Sequence, residues 1–416
     1  MSLVSWISDG RVDRMKYVIV HAGGMADRPH AELNGRTPLQ AAATPHLDQL
    51  AQIGELGLLM IPSEGIRHGG GLLGAAILGY DPKKYYQGPG PLEAASLGVS
   101  VTEHDVVYRC TMVTLRPEGG KGAEIKKLGP NVILDDATAG LIETEEAREL
   151  IEALNEQVGS EAIQFYPGAG HRHLMVWVNG KPRAVCSDPQ SVLGRSIADA
   201  LPTGDGADIL RKLMDAAHVI MRDHPVNEER MAEGKKPANC VWLWGEGRAV
   251  MWPSLTEKHE IAGAIVATSD VYRGVGICAG LDAVDPDRLA DGDLRTRASV
   301  ALAEFAKKDF VYVHARLTDE IIHGTDIKAK VRGIEEFDRH LVGPLVEGLT
   351  KQGPYRFLIV CEHGRGVDGQ PFYAFGEGGK KVSGSVNRRF TESDAQAADT
   401  PARDATKFAN KFFSKS

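Results

Sequence analysis

The sequence has little cysteine and no long apolar run. Its five cysteines form no C-x-x-C pair, and their odd number leaves at least one thiol free, which argues against a disulfide framework and structural zinc. No stretch of about 18 uncharged apolar residues occurs, and the N-terminus lacks the continuous apolar segment of a signal peptide. These absences predict a protein of the reducing cytoplasm without a membrane-spanning segment.

Length and charge restrict the class of protein further. The 416 residues exceed the roughly 250 to 300 at which a single core stops growing, so two domains are expected. The net charge of −8 is a poor match for the phosphates of nucleic acid or for anionic membrane surfaces. We therefore predict neither nucleic acid nor a membrane as the partner.

Two further absences concern chemistry. No serine or threonine occurs from Glu64 through Ala95, and no histidine follows His363. The first gap contains the glycine run 69–71 before an apolar segment predicted as a helix up to about Leu78. Such a turn exposes backbone N–H groups that suit an anion, although glycine can equally serve only to relieve crowding. Both interpretations stay open.

Apolar, β-branched runs alternate with helical segments at both ends of the chain. The first is a strand at Tyr17–Val20, predicted to break into a turn at Gly23 and Gly24. Thr37-Pro38 and Thr44-Pro45 then predict two helix starts. Later runs read AGAIVATS, DFVYVHA and RFLIVCEHG, and this βαβ order predicts a parallel sheet with ligand-binding loops at the carboxyl ends of its strands.

The middle of the chain has a different pattern. A strand at Val106–Leu115, a charged helix at Thr144–Asn155 and further short strands occur in mixed order. We predict an α/β fold in which residues 15–94 and 250–416 form one parallel-sheet domain. An α+β domain at 95–249 would interrupt it, and residues 1–14 would be an N-terminal extension.

Asp319 and His323 follow the apolar run DFVYVHA. On one helical turn, residues four apart lie on the same face, so the two side chains would be able to reach one divalent ion. The alternative is a surface turn in which the aspartate caps a helix and the histidine is solvated. The spacing alone does not decide between them.

Six motifs occur in order along the chain: GGMADRP, ILGYDPKKYYQGPGPLEAASLG, FYPGAGHRHLMVW, HPVNEERMAEGKKPANCVWLWGEGR, the D-x-x-x-H spacing and CEHG. Together they resemble the archaeal-type cofactor-independent phosphoglycerate mutases of the alkaline phosphatase superfamily. The resemblance extends over nearly the whole chain from Met15. It implies an alkaline-phosphatase-like fold, a serine that accepts and returns the phosphoryl group, and two manganese or zinc ions. A working member would be a glycolytic isomerase.

The chain departs from this family pattern at the positions that carry the chemistry. Gly23 stands where the resemblance implies a metal-binding aspartate, and Gly70 stands where it implies the serine nucleophile. A glutamate replaces the aspartate of the late D-H pair, and a further family histidine has no counterpart. The reduced metal site that the resemblance implies comprises Asp319, His323, Glu362 and His363. His21, two residues before Gly23, is a candidate added ligand because imidazole binds metal ions well.

Two alternatives stay open for this site, namely manganese or zinc bound by the reduced ligand set and no metal at all. His68 is a candidate substitute phosphoryl acceptor, since imidazole can carry a phosphoryl group. The simpler interpretations are a strand-end His21 bonded to the backbone and an exposed loop residue at position 68.

Five basic residues match basic positions in the family and predict binding of a small anionic or phosphorylated ligand by charge-assisted hydrogen bonds. They are Arg109, Arg172, His173, Arg230 and Lys235. The alternative is that these side chains cap helices and bridge domains.

Three functions are compatible with these residues. The absent nucleophile favours a pseudoenzyme that binds an anion, a phosphoester or a protein partner, because removing the nucleophile of such a relay costs several powers of ten in rate. The second is a metal-dependent phosphoglycerate mutase, phosphotransferase or phosphatase with a rebuilt site. The third is an ordinary mutase that has been misaligned, although slippage in the glycine run creates no serine.

Overall fold

The structure is a computed structural model that describes residues 14–66, 70–119, 124–289, 293–317, 326–363, 369–378 and 387–414, with the side chain of His363 left out. The chain divides into two compact units. The first unit comprises Met1–Pro62, Leu73–Asp81 and Pro253–Ser416, and the second comprises Ser63–Leu72 and Pro82–Trp252. The boundaries that we placed at residues 94 and 249 stay a prediction.

Strands and helices alternate through most of the chain. The strands are β1 (Lys16–Ala26), β2 (Glu55–Met60), β3 (Val106–Pro117), β4 (Val132–Asp136), β5 (Ile163–Tyr166), β6 (Arg172–Trp177), β7 (Ala184–Val185), β8 (Thr203–Gly204), β9 (Cys240–Arg248), β10 (Gly263–Val266), β11 (Asp282–Ala283), β12 (Phe310–Arg316), β13 (Tyr355–His363), β14 (Phe372–Glu377) and β15 (Arg403–Asp404). The α-helices are Pro38–Ala41, Pro45–Ile53, Leu72–Ile77, Pro82–Tyr85, Pro89–Leu97, Thr144–Val158, Ala207–Arg222, Pro225–Ala232, Leu255–His259, Asp270–Cys278, Leu294–Glu304, Ile327–Phe337, Gly343–Gln352, Glu392–Gln396 and Ala405–Phe412. A π-helix spans Asp338–Val342, and short 3-10 helices span Ala31–Leu33, Pro189–Val192, Ala198–Ala200 and Pro286–Arg288.

The first unit contains a sheet with the strand order β11-β10-β12-β1-β13-β14-β2-β15. Strands β1, β10, β11, β12 and β13 run parallel, whereas β14 is antiparallel to both of its neighbours. Strand β1 is buried along almost its whole length, as expected for a central parallel strand covered on both faces. The α/β fold predicted from the βαβ pattern is confirmed.

Strand β1 is longer than predicted. It continues through Gly23 and Gly24, where the sequence suggested a turn, and its register against β13 shifts between Ala22 and Ala26. The irregularity coincides with a positive φ of 74° at Gly24, a conformation that glycine adopts without steric cost. The glycines therefore distort the end of the strand instead of ending it.

Helix starts in the first unit follow the predicted threonine-proline pairs. Thr37 forms a capping box at the start of Pro38–Ala41, and Pro45–Ile53 begins after Thr44. The buried carboxylate of Asp338 accepts hydrogen bonds from the His46 N–H (3.2 Å) and the Leu47 N–H (2.8 Å) in the first turn of that second helix. A negative charge at a helix N-terminus is stabilising, so Asp338 fixes this helix.

The second unit is an antiparallel sheet with helices on it. Strand β3 pairs with β9 on one side and, on the other, with β6 along its first part and β4 along its second. Strand β5 extends the sheet beyond β6. Residues of the helices Thr144–Val158 and Ala207–Arg222 join one hydrophobic core with this sheet, and Ala94 packs against Val107, Leu174 and Val176 in a smaller one. The predicted α+β texture is confirmed.

Candidate functional site at the carboxyl ends of the central strands

The three central parallel strands of the first unit bring distant polar residues together. His21 on β1 pairs in register with His314 on β12 and with Val360 on β13. Glu362 lies near the end of β13. Because the carboxyl ends of parallel strands meet at one edge of a sheet, these side chains form a cluster where such folds bind ligands.

His21 is completely buried within this cluster. Its Nδ1 lies 2.7 Å from the hydroxyl of Tyr312, and its Nε2 lies 3.5 Å from Oε1 of Glu362. Nε2 has no hydrogen bond of good geometry among the described residues. The imidazole is therefore oriented by the tyrosine and directed at the carboxylate, so the structure places the two candidate residues His21 and Glu362 next to each other.

Glu362 is held as a carboxylate. The hydroxyl of Tyr272 donates a hydrogen bond to its Oε1 at 3.3 Å. Burial opposes ionisation, but His21, this tyrosine and Arg316 outweigh it, so the pKa of Glu362 is lower than usual. The cluster therefore has one fixed negative charge.

His314 completes the cluster as a neutral ring. It stacks on Tyr272 with ring centroids 3.7 Å apart and planes inclined by 15°. Burial, reinforced by His21, Arg297 and Arg316, holds the pKa of His314 well below its usual range. At neutral pH this imidazole supplies a lone pair and no charge.

Gly23 borders the cluster. A Cβ atom at this position would lie 3.1 Å from Cβ of Arg316, 3.6 Å from Nε2 of His314 and 3.7 Å from Oε1 of Glu362. A carboxylate side chain at position 23 would therefore face the imidazole and the existing carboxylate, and it would require Arg316 to shift by a few tenths of an ångström.

Several residues that the sequence singled out lie outside the described residues. They are His68, Asp319, His323 and the side chain of His363. Within the described residues, no group of three or more histidine, cysteine, aspartate and glutamate side chains is arranged to hold a metal ion. The predicted ligand set therefore stays a prediction, with His21 and Glu362 brought together.

Tyr272, Tyr312 and His314 were not predicted as site residues. The signal for two of them was present, since Tyr312 and His314 are two apart in the run DFVYVHA and must lie on the same face of the strand. Tyr272 lies in the helix after β10 and had no such signal.

The second unit holds Gly70 and the five basic residues. The hydroxyl of Tyr86 donates to the carbonyl of Gly70 at 3.1 Å, and burial raises the pKa of this tyrosine. Arg109 forms a bidentate pair with Glu93, with N···O distances of 2.9 and 2.6 Å, and its guanidinium lies 4.7 Å from the ring centroid of Trp244. The charge of Arg109 is therefore already compensated.

Two other basic candidates also have partners. Arg230 is buried and donates to Glu146, to the carbonyl of Ala139 at 2.7 Å and to the carbonyl of Lys236 at 3.0 Å. Lys235 is exposed and pairs with Glu233 at 2.7 Å. Arg230 therefore joins three segments within the second unit, and its charge is already paired with Glu146.

His173 and Arg172 differ in their environment although they are neighbours. His173 is buried, accepts a hydrogen bond from the Gly168 N–H at 3.0 Å, and has its pKa lowered to about 3 by burial together with His171 and Arg172. It is neutral at pH 7 and offers no charge to an anion. Arg172 is exposed, and no ion pair of its guanidinium occurs among the described residues. Among the five candidates, Arg172 is therefore the cation that forms no ion pair with any described residue.

The parallel sheet, interrupted in sequence by the antiparallel second unit, is an alkaline-phosphatase-like α/β fold. Two solved structures resemble it over nearly their full lengths. "Cofactor-Independent Phosphoglycerate mutase from Thermoplasma Acidophilum DSM 1728" covers 96% of this chain and 98% of its own, with 25% identity and a TM-score of 0.60. The PH0037 protein from Pyrococcus horikoshii covers 97% and 99%, with 23% identity and a TM-score of 0.72, a likeness of fold alone.

Relatives identified by sequence give the family. A profile described as 2,3-bisphosphoglycerate-independent phosphoglycerate mutase matches residues 51–227. A probable mutase of this name from Geobacter sulfurreducens is 41% identical over 352 residues, 84% of this chain and 86% of its own. A mutase from Methanothrix thermoacetophila is 38% identical over 354 residues, with coverages of 84% and 86%. The chain belongs to the 2,3-bisphosphoglycerate-independent phosphoglycerate mutase family.

Among the residues that the structure describes, no helix is both long enough and apolar enough to cross a membrane.

Proposed function

We propose that this protein is a phosphoglycerate-mutase-like pseudoenzyme, which binds a small phosphorylated or other anionic ligand but does not carry out the serine-dependent phosphoryl relay. The observation that carries the proposal is the absence of any serine or threonine from Glu64 through Ala95, the stretch that includes the position of the nucleophile. Without that hydroxyl no covalent phosphoryl intermediate forms there, and binding groups alone recover little of the lost rate.

The surroundings of Gly70 support this proposal. The hydroxyl of Tyr86 donates to the Gly70 carbonyl, and the raised pKa of this tyrosine keeps it protonated. A neutral, hydrogen-bonded phenol is a poor nucleophile, so Tyr86 does not replace the serine. Such a pseudoenzyme would act by regulating a protein partner when the ligand binds.

Arg172 is the residue that we expect to bind the anion. It is exposed, whereas the charges of Arg109 and Arg230 are taken by Glu93 and Glu146. A guanidinium binds a phosphate or carboxylate by two parallel hydrogen bonds, and its charge is not shared here with a described acidic side chain.

The test combines turnover with binding. Conversion of 3-phosphoglycerate to 2-phosphoglycerate is followed in the presence of manganese or zinc, beside an active family member, and no turnover is expected. Isothermal titration of 3-phosphoglycerate should show binding that Arg172→Met abolishes and Arg148→Met retains, since Arg148 is exposed but paired with Glu145. Turnover at an ordinary enzymatic rate would contradict the pseudoenzyme, and equal binding by both variants would contradict the role of Arg172.

A second candidate function is a metal-dependent phosphotransfer enzyme or mutase with a rebuilt site, and one observation favours it. Nε2 of His21 lies 3.5 Å from Oε1 of Glu362, and two ligands about 2.1 Å from a tetrahedral zinc ion lie about 3.4 Å apart. Tyr312 orients the imidazole through Nδ1, as partners of metal-bound histidines do. His21 and Glu362 would then hold manganese or zinc, which acts as a Lewis acid on phosphoryl oxygens.

Metal content decides between the two candidates. The protein is dialysed against manganese and zinc and then against buffer, and bound metal is measured by mass spectrometry for the wild type and for Glu362→Gln, which keeps the side-chain shape. The pseudoenzyme predicts essentially no retained metal in either protein. Retention of about one ion or more per chain that Glu362→Gln loses, with an unchanged circular dichroism spectrum, would favour the rebuilt site, for which His68→Ala should then abolish activity.

A further inference from the structure

A cavity lies in the second unit, away from Arg172. Its volume is about 700 Å³, within the ~300–1,000 Å³ typical of sites for small organic ligands. It lies along the first half of the helix Ala207–Arg222 and beside Pro130, which precedes β4. On β3, Thr111 pairs with Arg172 and Pro117 pairs with Val132 of β4. These two positions on β3 are about 20 Å apart, so the cavity near β4 is distinct from the surroundings of Arg172.

The walls of this cavity are fixed to the helix by hydrogen bonds. The Leu128 N–H donates to Oδ1 of Asp215 at 3.0 Å, which holds the segment before β4. Nε of Arg211 donates to the Pro202 carbonyl at 2.7 Å, between the lining residues Leu201 and Thr203, which ties that segment to the helix. Both contacts exist without a ligand, so the cavity is formed in advance and binding requires little ordering of the chain.

Three cations line the cavity, namely Lys127, Arg211 and Lys212. None of them forms an ion pair within the part of the chain that the structure describes, although Asp208 and Asp215 line the same space. Unpaired cations that line a preformed cavity attract an anion. Arg211 is fixed by its Nε bond and has both terminal N–H₂ groups available for a bidentate contact.

The remaining lining indicates what the anion is attached to. Asp208 supplies a carboxylate that accepts hydrogen bonds from hydroxyl or amino groups, and Leu128, Leu201 and Ala207 supply apolar surface. A bare inorganic anion would leave this surface unused. We propose that the cavity binds a phosphorylated organic metabolite of the size of a nucleoside monophosphate or a hexose phosphate, with the phosphate at Arg211 and Lys212 and the hydroxyl-bearing body toward Asp208.

Isothermal titration of the full chain with adenosine monophosphate, glucose 6-phosphate and inorganic pyrophosphate tests this proposal. We expect one of the two organic phosphates to bind, and its affinity to fall about tenfold or more when Arg211 and Lys212 are both changed to methionine, because two charge-assisted contacts are lost. Both side chains are exposed, so the double variant should fold. The matched control is Arg222→Met, at the other end of the same helix and paired with Asp223.

The outcomes separate this cavity from the anion site at Arg172. Binding that persists in Arg172→Met and is lost in the double variant supports the cavity whether or not the pseudoenzyme proposal holds. Binding retained by the double variant, loss caused by Arg172→Met alone, or no binding of either organic phosphate would overturn the proposal. If inorganic pyrophosphate bound as tightly as the organic phosphates, the organic part of the ligand would contribute nothing, and the proposal that it occupies the cavity would be overturned.

Discussion

Acidification should destabilise the second unit through His173. In the folded protein burial, with His171 and Arg172 nearby, lowers the pKa of this histidine to about 3, whereas an unfolded histidine titrates near 6.5. The unfolded chain therefore binds a proton that the folded chain does not bind, and stability contributed by the neutral ring is complete above pH 6.5 and is lost as the pH falls toward 3. From these two values the loss between pH 7 and pH 4.5 is about 2.5 kcal/mol. Since His173 is only 2% exposed, little of this is screened by solvent.

Replacing His173 with asparagine isolates this effect. The asparagine oxygen takes the place of Nδ1 as acceptor for the Gly168 N–H and does not titrate. The variant should be less stable than the wild type at pH 7, because it packs less well, but it should lose about 2.5 kcal/mol less on going to pH 4.5. The exposed His104 provides the matched control, because His104→Asn makes the same substitution outside the core.

Urea unfolding followed by tryptophan fluorescence measures the unfolding free energy of the second unit, which contains His173. Four of the five tryptophans lie in the second unit, at Trp177, Trp242, Trp244 and Trp252. The quantity compared is the difference in unfolding free energy between pH 7 and pH 4.5 for each protein. If His173→Asn and the wild type lose the same free energy within about 0.5 kcal/mol, the buried neutral histidine is not the cause and the reasoning fails.

Three further substitutions have defined outcomes. Gly23→Asp should lower the melting temperature in the presence of a chelator, because the new carboxylate faces that of Glu362, and added zinc should restore the melting temperature. Calorimetry with and without zinc tests this prediction, and a response to zinc equal to that of the wild type would refute it. Asp338→Asn should cost about 1–3 kcal/mol of unfolding free energy by removing a charged helix cap, measured by chemical denaturation, and an unchanged midpoint would show that the cap is dispensable. Arg230→Met should destabilise the second unit by about 3 kcal/mol, because it leaves the buried carbonyl of Ala139 unpaired and also removes the bonds to Glu146 and Lys236. Lys235→Met, at its exposed neighbour, should change the stability by less than about 0.5 kcal/mol, and similar losses in both variants would contradict the buried network.

The parallel sheet was predictable because buried strands consist of continuous runs of apolar, β-branched residues. The segments KYVIV and DFVYVHA are identifiable as strands from their own residues alone, and both are central strands of the sheet. The proximity of His21 and Glu362 was expected for the same reason, since each residue lies toward the carboxyl end of such a strand and these ends meet at one edge of the sheet.

The partners that define the electrostatics were not predictable. The tyrosine beside His21 comes from β12, and only the strand order reveals that β12 is its neighbour. The basic residues were recognised as cations, but the carboxylates that compensate two of them lie 16 and 84 residues away from Arg109 and Arg230. Sequence patterns with periods of two or four residues contain no information on such pairs, and that is why Arg172 could not be separated from the others in advance.

The position of β1 has a consequence for biosynthesis. Lys16 at its start bonds to Asp309, 293 residues later, just before β12. A ribosome adds roughly 5–20 residues per second, so about 15–60 s pass before β1 can meet this neighbour. Meanwhile almost all of the second unit emerges as the uninterrupted stretch Pro82–Trp252 with a core of its own. The segment that forms most of the second unit is therefore complete on the nascent chain before β1 is able to pair with β12. The inserted position of the second unit thus sets a minimum time during synthesis in which the apolar strand β1 lacks this neighbour.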